Sequence, residues 1–365
     1  MFSLGHYTTT TTTTMSSQQP QQSPAPAATS PPPPNQHDPL PPGIWAPTQV
    51  FFTPSTTSPS ISTNTIDLPT TALHAVRLAR AGIAGLVTNG SNGEAAHLSP
   101  SERAAVTRAT RAALDGAGFA HIPVVSGASD ASLAGTVRLA REAREAGAAG
   151  VLVLVPSAFG WAMREGETVV RFFEGVVEGC GGRSGGLPVV VYNYPAAAGG
   201  LDLDSDLLGR LAEVGVAGVK FTCGNVGKLA RVASATATAG DGRFRCFSGV
   251  ADAVVPALMV GGHGGIVGAA NVFPRACVEA YKLFEEGKWE EARVAQQRLA
   301  RADWAMTKRA IPGFKSVLQK YHGYGGIPRL PVPPLSEKEE EKLFAEIEEM
   351  MAVEAALEDF GKPNQ

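Results

Sequence analysis

The sequence predicts an α/β fold: a (β/α)8 barrel, preceded by a disordered N-terminal tail and followed by a C-terminal helical extension. Three observations support it: eight short runs rich in Val, Ile and Gly, helical segments between them, and a change of composition near residue 40. The runs are too consistently apolar to leave one face in water, which indicates strands buried on both faces. Eight β-α alternations over somewhat less than the ~250 residues typical of the fold favour a barrel, with an open doubly wound sheet as the alternative.

The alternation can be followed along the chain. The predicted strands span residues 46–52, 82–89, 122–127, 150–156, 187–195, 215–222, 243–249 and 264–269. The predicted helices span residues 71–81, 99–114, 129–146, 165–178, 205–213, 226–239, 251–260 and 275–286. Ser99 predicts the start of the second helix, because Pro100 and Glu102 complete a capping pattern. No G-x-G-x-x-G opens the helix after the first strand, which weakens a dinucleotide-binding interpretation.

The composition divides the chain into three regions. Residues 1–40 contain a threonine run and a run of four prolines, and such a tract cannot bury enough apolar surface to offset its chain entropy. Residues 41–287 form the predicted catalytic barrel. Residues 288–365 form the predicted helical domain, with helices at 289–308 and 314–321, an extended link at 327–334, and an acidic amphipathic helix at 336–357 capped by Ser336. The acidic run is interpreted as a solvated face, with a role in assembly as the alternative.

Charge, hydropathy and cysteine spacing limit the kinds of partner and the cellular compartment that the sequence predicts. The formal net charge is −3 and no Lys/Arg block is present, so nothing predicts a nucleic-acid partner. No apolar stretch approaches the length of a membrane span. Four widely spaced cysteines without a C-x-x-C pair suit reduced thiols, and a tail without Arg or Lys disfavours a mitochondrial transit peptide. A cytoplasmic protein is therefore expected; whether translation starts at Met1 or Met15 stays open.

Lys220 is the residue on which the functional prediction depends. It ends a short apolar run, Gly215-Val-Ala-Gly-Val-Lys-Phe-Thr222, which predicts a buried strand with one cation at its far end. Desolvation disfavours an ammonium, so a neutral amine that can attack a carbonyl becomes more accessible. The alternative is a lysine whose stem packs on the strand while its amine reaches water.

Two other strand ends carry polar groups to the same predicted rim, because reacting groups of a barrel lie where strands end. Gly90-Ser-Asn-Gly-Glu94 follows the second strand, and its backbone N–H groups and short side chains would hold a carboxylate. Tyr192 lies at the end of the fifth strand, where a phenol near a lysine can move protons. Taken singly, an ordinary turn and a packing tyrosine are the alternatives. Together, the groups predict a site for a 2-oxo acid.

Neither a metal nor a cofactor is predicted. The seven histidines show no H-x-x-x-H or H-E-x-x-H spacing. They are His6, His37, His74, His97, His121, His263 and His322. The glycine-rich stretch at 261–265 resembles a phosphate loop in composition only and matches neither nucleotide fingerprint.

These motifs, taken in order, resemble the dihydrodipicolinate synthase/N-acetylneuraminate lyase superfamily from about Trp45 to about Leu335. The similar segments are Gly90-Ser-Asn-Gly-Glu94, Tyr192-Asn-Tyr-Pro195, Gly218-Val-Lys-Phe-Thr222, Phe247-Ser-Gly249, Gly262-His-Gly-Gly-Ile266 and Asn271-Val-Phe-Pro274. The resemblance implies a (β/α)8 barrel, usually a homotetramer, with a C-terminal helical domain and a Schiff-base lysine.

The resemblance also implies roles for individual residues. Lys220 matches the imine-forming lysine and Tyr192 the acid/base tyrosine. Ser91 and Asn92 match the pair that holds the pyruvate carboxylate and links it to a proton relay. Gly249 and Ile266 match backbone positions that line the pyruvate pocket. Thr222 matches a threonine that contacts substrate hydroxyls.

Two departures from the family pattern bear on the substrate. Where the lysine-biosynthetic synthase carries an arginine for a second carboxylate, this chain reads Ala196-Ala-Ala-Gly199. Where the family places a relay tyrosine borrowed from a neighbouring subunit, this chain reads Pro156-Ser-Ala-Phe159, so the relay ends in water, Ser157 or another group. The signature resembles the 4-hydroxy-2-oxoglutarate aldolases and the aldolases acting on 2-oxo-3-deoxy sugar acids.

The sequence thus predicts a metal-free class I aldolase that cleaves a 4-hydroxy-2-oxo acid to pyruvate and an aldehyde. Alternatives are a pyruvate-condensing 4-hydroxy-tetrahydrodipicolinate synthase, a dehydratase that uses the same imine, and a barrel that binds 2-oxo acids without catalysis. The aldehyde half and the stereochemistry at C4 stay open.

Overall fold

Eight parallel strands close into a barrel in chain order in the computed structural model, which describes residues 38–53, 64–182, 185–237 and 243–360. The strands are β1 (Gly43–Pro47), β2 (Gly85–Thr88), β3 (Val124–Gly127), β4 (Gly150–Leu154), β5 (Val189–Asn193), β6 (Gly218–Phe221), β7 (Arg245–Ser248) and β8 (Gly264–Ile266). Because β1 pairs with both β2 and β8, the predicted barrel is confirmed and the open sheet is wrong.

Helices separate the strands and surround the barrel. They are α1 (Leu68–Arg80), α2 (Pro100–Gly116), α3 (Leu133–Glu145), α4 (Gly160–Met163), α5 (Gly166–Gly179), α6 (Ser205–Glu213), α7 (Val226–Ala237), α8 (Val254–Met259) and α9 (Pro274–Glu285). The predicted start of α2 is confirmed, since Ser99 Oγ accepts from the Glu102 N–H and the Glu102 carboxylate accepts from the Ser99 N–H. Short 3₁₀ turns follow β2, β5, β7 and β8. They shape the loops at the carboxyl ends of the strands, where a barrel carries its site.

Apolar side chains cover both faces of the strands, as the sequence predicts. Val189 and Val191 of β5 point outward into the core that the barrel shares with its helices. Val190 and Tyr192 belong to a separate cluster inside the barrel. Strand side chains alternate between faces, so the inward set of β5 ends on Tyr192 at the mouth.

All eight predicted strands are longer than the observed ones, and for the first two the reason is identifiable. The first strand ends at Pro47, not at residue 52, because the chain then leaves the barrel: Phe52 bridges antiparallel to Ile66, and Asp67 N–H donates to Phe51 O. The second strand, predicted over 82–89, is limited to Gly85–Thr88. Gly82 and Asn89 have φ values of 87° and 55°, a left-handed conformation that a strand does not accommodate.

The C-terminal helices pack against the barrel. They are α10 (Trp289–Thr307), α11 (Ala310–His322) and α12 (Glu337–Phe360). Asp303 of α10 accepts from the N–H groups of Ala251 and Asp252. Ser336 precedes α12 and its hydroxyl accepts from Glu339 N–H at 3.4 Å, as its predicted capping role requires. The division between domains at residue 287 stays a prediction.

The predicted tail and one predicted helix extend beyond the described residues. Residues 1–37 of the predicted tail, and residues 238 and 239 of the predicted sixth helix, lie outside the described residues. Leu40, which the sequence placed in the tail, is 3% exposed, and Asp38 pairs with Arg245 at 2.9 Å. Within the described part of the chain, no helix combines the length and the apolar character needed to cross a membrane.

Candidate active site

β6 carries Lys220 into the barrel close to its mouth. Register pairs Lys220 with Tyr192 on β5 and with Phe247 on β7. Tyr192 and Phe247 belong to the apolar cluster inside the barrel. Lys220 itself is 3% exposed, so its amine does not reach water along the strand as the snorkelling alternative requires.

Burial dominates the electrostatics of this amine. It lowers the pKa of Lys220 to about 7, because a desolvated ammonium is disfavoured relative to the neutral amine. Among the described residues no carboxylate forms an ion pair with Lys220. Its Nζ instead lies 4.3 Å from the centroid of the Tyr192 ring. A large fraction of the amine is therefore neutral near pH 7, the form that attacks a carbonyl.

Tyr192 lies between Lys220 and the opposite side of the mouth. Its ring stacks on Tyr194, with centroids 5.4 Å apart. Its hydroxyl is 3.5 Å from Ser91 Oγ, at the limit of a hydrogen bond. Burial raises the pKa of Tyr192, and the hydroxyls of Ser91 and Thr222 offset part of the shift. The phenol is thus protonated at neutral pH and can transfer a proton to or from a neighbouring group.

A tight loop after β2 presents Ser91 and Asn92 to the mouth. Asn89 and Glu94 bracket it, both in the left-handed region with φ of 55° and 50°. The side-chain amide of Asn89 donates to the Thr107 and Ser126 hydroxyls, which fixes the start of the loop. Among the described residues, the N–H groups of positions 91–93 have no hydrogen-bond acceptor. These donors fit the predicted carboxylate-binding role, which stays a prediction.

Thr222 and Gly249 touch each other at the ends of β6 and β7. A Cβ on Gly249 would lie 2.0 Å from Thr222 Oγ1, so only glycine allows this approach. Thr222 Oγ1 lies close enough to the Tyr192 hydroxyl to oppose the rise in its pKa, but within the described part of the chain this buried oxygen makes no hydrogen bond of normal length and angle. Such an unsatisfied group is rare inside a protein and is available to a ligand.

The remaining predicted residues line the same end of the barrel. Asn92 lies against Gly268, beyond β8, since a Cβ on that glycine would be 3.0 Å from the Asn92 amide nitrogen. Ile266 of β8 is 2% exposed and belongs to the interior cluster with Tyr192. Ser157, one alternative for the end of the proton relay, is exposed and lies near Gly199. The structure thus gathers the seven predicted residues around the mouth, while their roles stay predictions.

Sequence reasoning missed the contacts that hold the 90–94 loop from behind. In the sequence Glu94 is only the last residue of the 90–94 motif, yet its carboxylate is fully buried and lies 2.6 Å from Lys315 Nζ. An acid ending an otherwise neutral glycine-rich turn was the available signal. Nothing local marks Lys315 as its partner, because the two lie far apart in the chain.

No metal-binding cluster forms in the ranges that the structure describes: no three His, Cys, Asp or Glu side chains come together in a way that could hold an ion. The prediction that the reaction needs no metal or cofactor stays a prediction.

Comparison with known proteins identifies the class. The model of the Dihydrodipicolinate synthetase family matches residues 58–350. The chain is 43% identical to the L-threo-3-deoxy-hexylosonate aldolase of Aspergillus niger, over 88% of this chain and 98% of the relative. It is 39% identical to an Emericella nidulans protein named a probable 4-hydroxy-2-oxoglutarate aldolase, mitochondrial, over 88% and 98% of the two chains.

Solved structures agree with these relatives. YagE, a prophage protein from E. coli K12 determined in complex with pyruvate, superposes with a TM-score of 0.75 at 26% identity, covering 85% of this chain and 98% of its own. A monomeric dihydrodipicolinate synthase variant superposes with a TM-score of 0.76 at 25% identity, covering 89% and 100%. The barrel and its aldolase relatives define a carbon–carbon lyase, the class that the sequence predicts. The chain belongs to the dihydrodipicolinate synthetase family.

The contact between Gly249 and Thr222 generates a test. We expect Gly249→Ala to lower the lyase kcat/KM on the order of 10²-fold, because the added methyl displaces Thr222 or the β7 loop by about an ångström. Gly209→Ala is the matched control: it lies in α6, a Cβ there meets nothing within 4 Å, and activity should be unchanged. Equal activity of the two variants would contradict the assignment of Gly249 to the pocket.

Proposed function

We propose that the protein is a class I aldolase that cleaves a 4-hydroxy-2-oxo acid to pyruvate and an aldehyde through an imine on Lys220. The observation that carries the proposal is the buried amine of Lys220, with its pKa lowered to about 7, facing the ring of Tyr192. A neutral amine beside a protonated phenol supplies the nucleophile and the proton carrier that the reaction requires. The chain matches relatives that are named as aldolases, over nearly the whole length of those relatives, which supports the same reaction.

The chemistry begins with the ketone of the substrate. The neutral Lys220 amine adds to C2, one proton is taken up from solvent, and water leaves, giving a protonated imine; the proton is released again when the imine is hydrolysed. When the C3–C4 bond breaks, its electron pair moves into the imine and forms an enamine, while the C4 hydroxyl loses its proton and leaves as the aldehyde. Protonation of C3 and hydrolysis of the imine then release pyruvate and restore the amine.

Tyr192 and Ser91 move the proton in this scheme. Because the phenol is protonated at neutral pH, it accepts the C4 hydroxyl proton as it passes its own to Ser91, whose Oγ is 3.5 Å away. Ser91 in turn releases its own proton to the end of the relay, and the reverse transfer returns a proton for C3. Ser91 and Asn92 hold the substrate carboxylate with the free N–H groups of their loop. Gly249 and Ile266 line the pyruvate half.

The aldehyde half is proposed to be that of a 2-oxo-3-deoxy sugar acid, with 4-hydroxy-2-oxoglutarate as the second candidate. Thr222 Oγ1, buried and without a partner in the described residues, would bond a substrate hydroxyl. The turn after β5, Pro195–Ala197, and the following Ala198 and Gly199 offer no cation for a second carboxylate. The relative from Aspergillus niger, named for a deoxy-hexylosonate, favours the sugar acid.

We also propose a homotetramer, a cytoplasmic location and a helical domain beginning at residue 288. The tetramer is proposed from the family resemblance, although one of the similar structures is a monomeric synthase variant. The cytoplasmic location is proposed from the composition of the tail, although one relative is named as mitochondrial. Sedimentation of the purified chain and imaging of a C-terminally tagged chain separate these possibilities.

Borohydride reduction with pyruvate, followed by peptide mapping, tests the function directly. We expect one adduct, on Lys220, and none in Lys220→Ala, which should also lose aldolase turnover. Lys228→Ala, at a buried lysine of α7 paired with Asp202, is the control that keeps the adduct. The wild-type protein should release pyruvate from 2-oxo-3-deoxy sugar acids or 4-hydroxy-2-oxoglutarate. Consumption of pyruvate together with aspartate semialdehyde would favour the synthase. Formation of the trapped Lys220 adduct without turnover of any substrate would favour a protein that only binds 2-oxo acids.

Tyr192→Phe separates imine formation from proton transfer. Because the ring stays and only the hydroxyl is lost, we expect the Lys220 adduct to form while kcat for cleavage falls on the order of 10²–10⁴-fold. Tyr321→Phe, at an exposed tyrosine of α11, is the control. If cleavage by Tyr192→Phe matches the wild type, Tyr192 does not carry the proton.

The lowered pKa of Lys220 fixes the pH dependence. The attacking form is the neutral amine, so the kcat/KM for cleavage should rise with pH through about 7 and level off above it. An ordinary lysine would keep the rate rising towards pH ~10.4. The raised pKa of Tyr192 places the loss of its proton above pH 10, beyond this plateau. A rate still climbing tenfold per pH unit above pH 8 would exclude a desolvated amine as the nucleophile.

A further inference from the structure

The carboxylate of Glu94 is the centre of a buried charge cluster behind the candidate site. Glu94 Oε1 lies 2.6 Å from Lys315 Nζ, and both side chains are fully buried. Glu94 Oε2 accepts from the Arg329 N–H at 2.9 Å and lies 2.9 Å from His97 Nδ1. Lys315 belongs to α11 and Arg329 to the segment that follows it. The C-terminal region therefore reaches directly into the loop after β2.

The lysine of this pair is tied to further groups. Lys315 Nζ donates to the Ile327 carbonyl at 3.2 Å and lies 4.4 Å from the centroid of the Phe52 ring. Burying two charges requires such additional partners, and replacing a buried pair by apolar residues is often neutral or stabilising. Stability alone is thus a weak explanation for the pair, and a role in fixing geometry is the better one.

Glu94 connects this cluster to the residues that would hold a carboxylate. It ends the loop that begins at Gly90, and its N–H donates to the Ser91 carbonyl at 3.1 Å. Its φ of 50° is left-handed, a conformation that a glutamate keeps only when its surroundings impose it. The contacts of the carboxylate supply that constraint.

A second clamp secures the far end of the same loop. The guanidinium of Arg329 donates to both carboxylate oxygens of Glu102, at 2.6 and 3.1 Å, and to the His97 carbonyl at 2.9 Å. Glu102 also caps the start of α2. Residues 94–102 are therefore held by one short segment after α11, and the loop carrying Ser91 and Asn92 is held through them.

We propose that Lys315 is a positioning residue: through Glu94 it holds Ser91 and Asn92 in the geometry that binds the carboxylate of a 2-oxo acid. The C-terminal helical region thereby sets affinity for this half of the substrate without contacting it. This inference rests on the proposed function of Lys220 and adds a role for a residue outside the barrel.

The test measures imine formation at increasing pyruvate concentrations, with the Lys220 adduct trapped by borohydride and quantified by mass spectrometry. In Lys315→Met we expect the half-saturating pyruvate concentration to rise about tenfold, equivalent to ~1.4 kcal/mol of binding. The trapping rate at saturation should stay within about twofold of the wild type, since Lys220 and Tyr192 are untouched. Lys320→Met, on the exposed side of the same helix, is the matched control and should leave both values unchanged.

The outcomes separate positioning from a structural role and from failure of the proposed function. A structural role lowers the amount of folded protein, which reduces the trapped amplitude at every pyruvate concentration and leaves half-saturation unchanged; that result overturns the proposal. If Lys315→Met is insoluble, the double variant Glu94→Gln/Lys315→Met, which buries no unpaired charge, takes its place under the same criteria. Absence of an adduct in the wild type would instead refute the imine on Lys220.

Discussion

The site depends on the desolvation of a single amine. Lys220 stands in a barrel interior formed by large apolar side chains, among them Trp45, Phe247 and Ile266, and no acid of the described residues neutralises it. A carboxylate beside it would have stabilised the ammonium and removed the nucleophile. The aromatic face of Tyr192 offers the ammonium a weaker interaction, so the amine is kept close to the balance between its two forms. The interior that stabilises the barrel is thus also what activates the lysine.

The register of the parallel strands places the buried amine beside the other groups of the candidate site. Because β5 and β6 align Tyr192 with Lys220, phenol and amine face the same space without any loop having to place them. The groups proposed to hold the substrate carboxylate lie on the 90–94 loop, which is anchored separately, by contacts with α11 and with Arg329. The proposed nucleophile and the proposed carboxylate-binding loop are therefore supported by different parts of the chain, so that one could be altered while the other is preserved.

Local patterns were enough to predict the barrel and the pairing of Lys220 with Tyr192. Apolar runs locate strands, and the rule that reacting groups follow strand ends brings their polar residues together. Boundaries were less predictable: the apolar stretch after Pro47 continues past the strand, because Phe52 is buried in a contact with the 64–67 segment rather than in the barrel. Nothing in the local sequence identifies Lys315 as the partner of Glu94, since only tertiary packing brings the two buried charges together.

The polar groups left unsatisfied at the mouth favour one kind of substrate. Thr222 Oγ1 is buried without a partner in the described residues, and an arrangement of this kind is unfavourable until a ligand supplies the missing bond. A site that bonds a substrate hydroxyl discriminates strongly against analogues that lack it, whereas a neutral turn such as 195–199 gains nothing from a second carboxylate. The desolvated lysine would act on any 2-oxo acid that fits. In the proposed function, selection for a hydroxylated aldehyde half would fall to Thr222, and Gly249 matters because its missing side chain leaves room for Thr222.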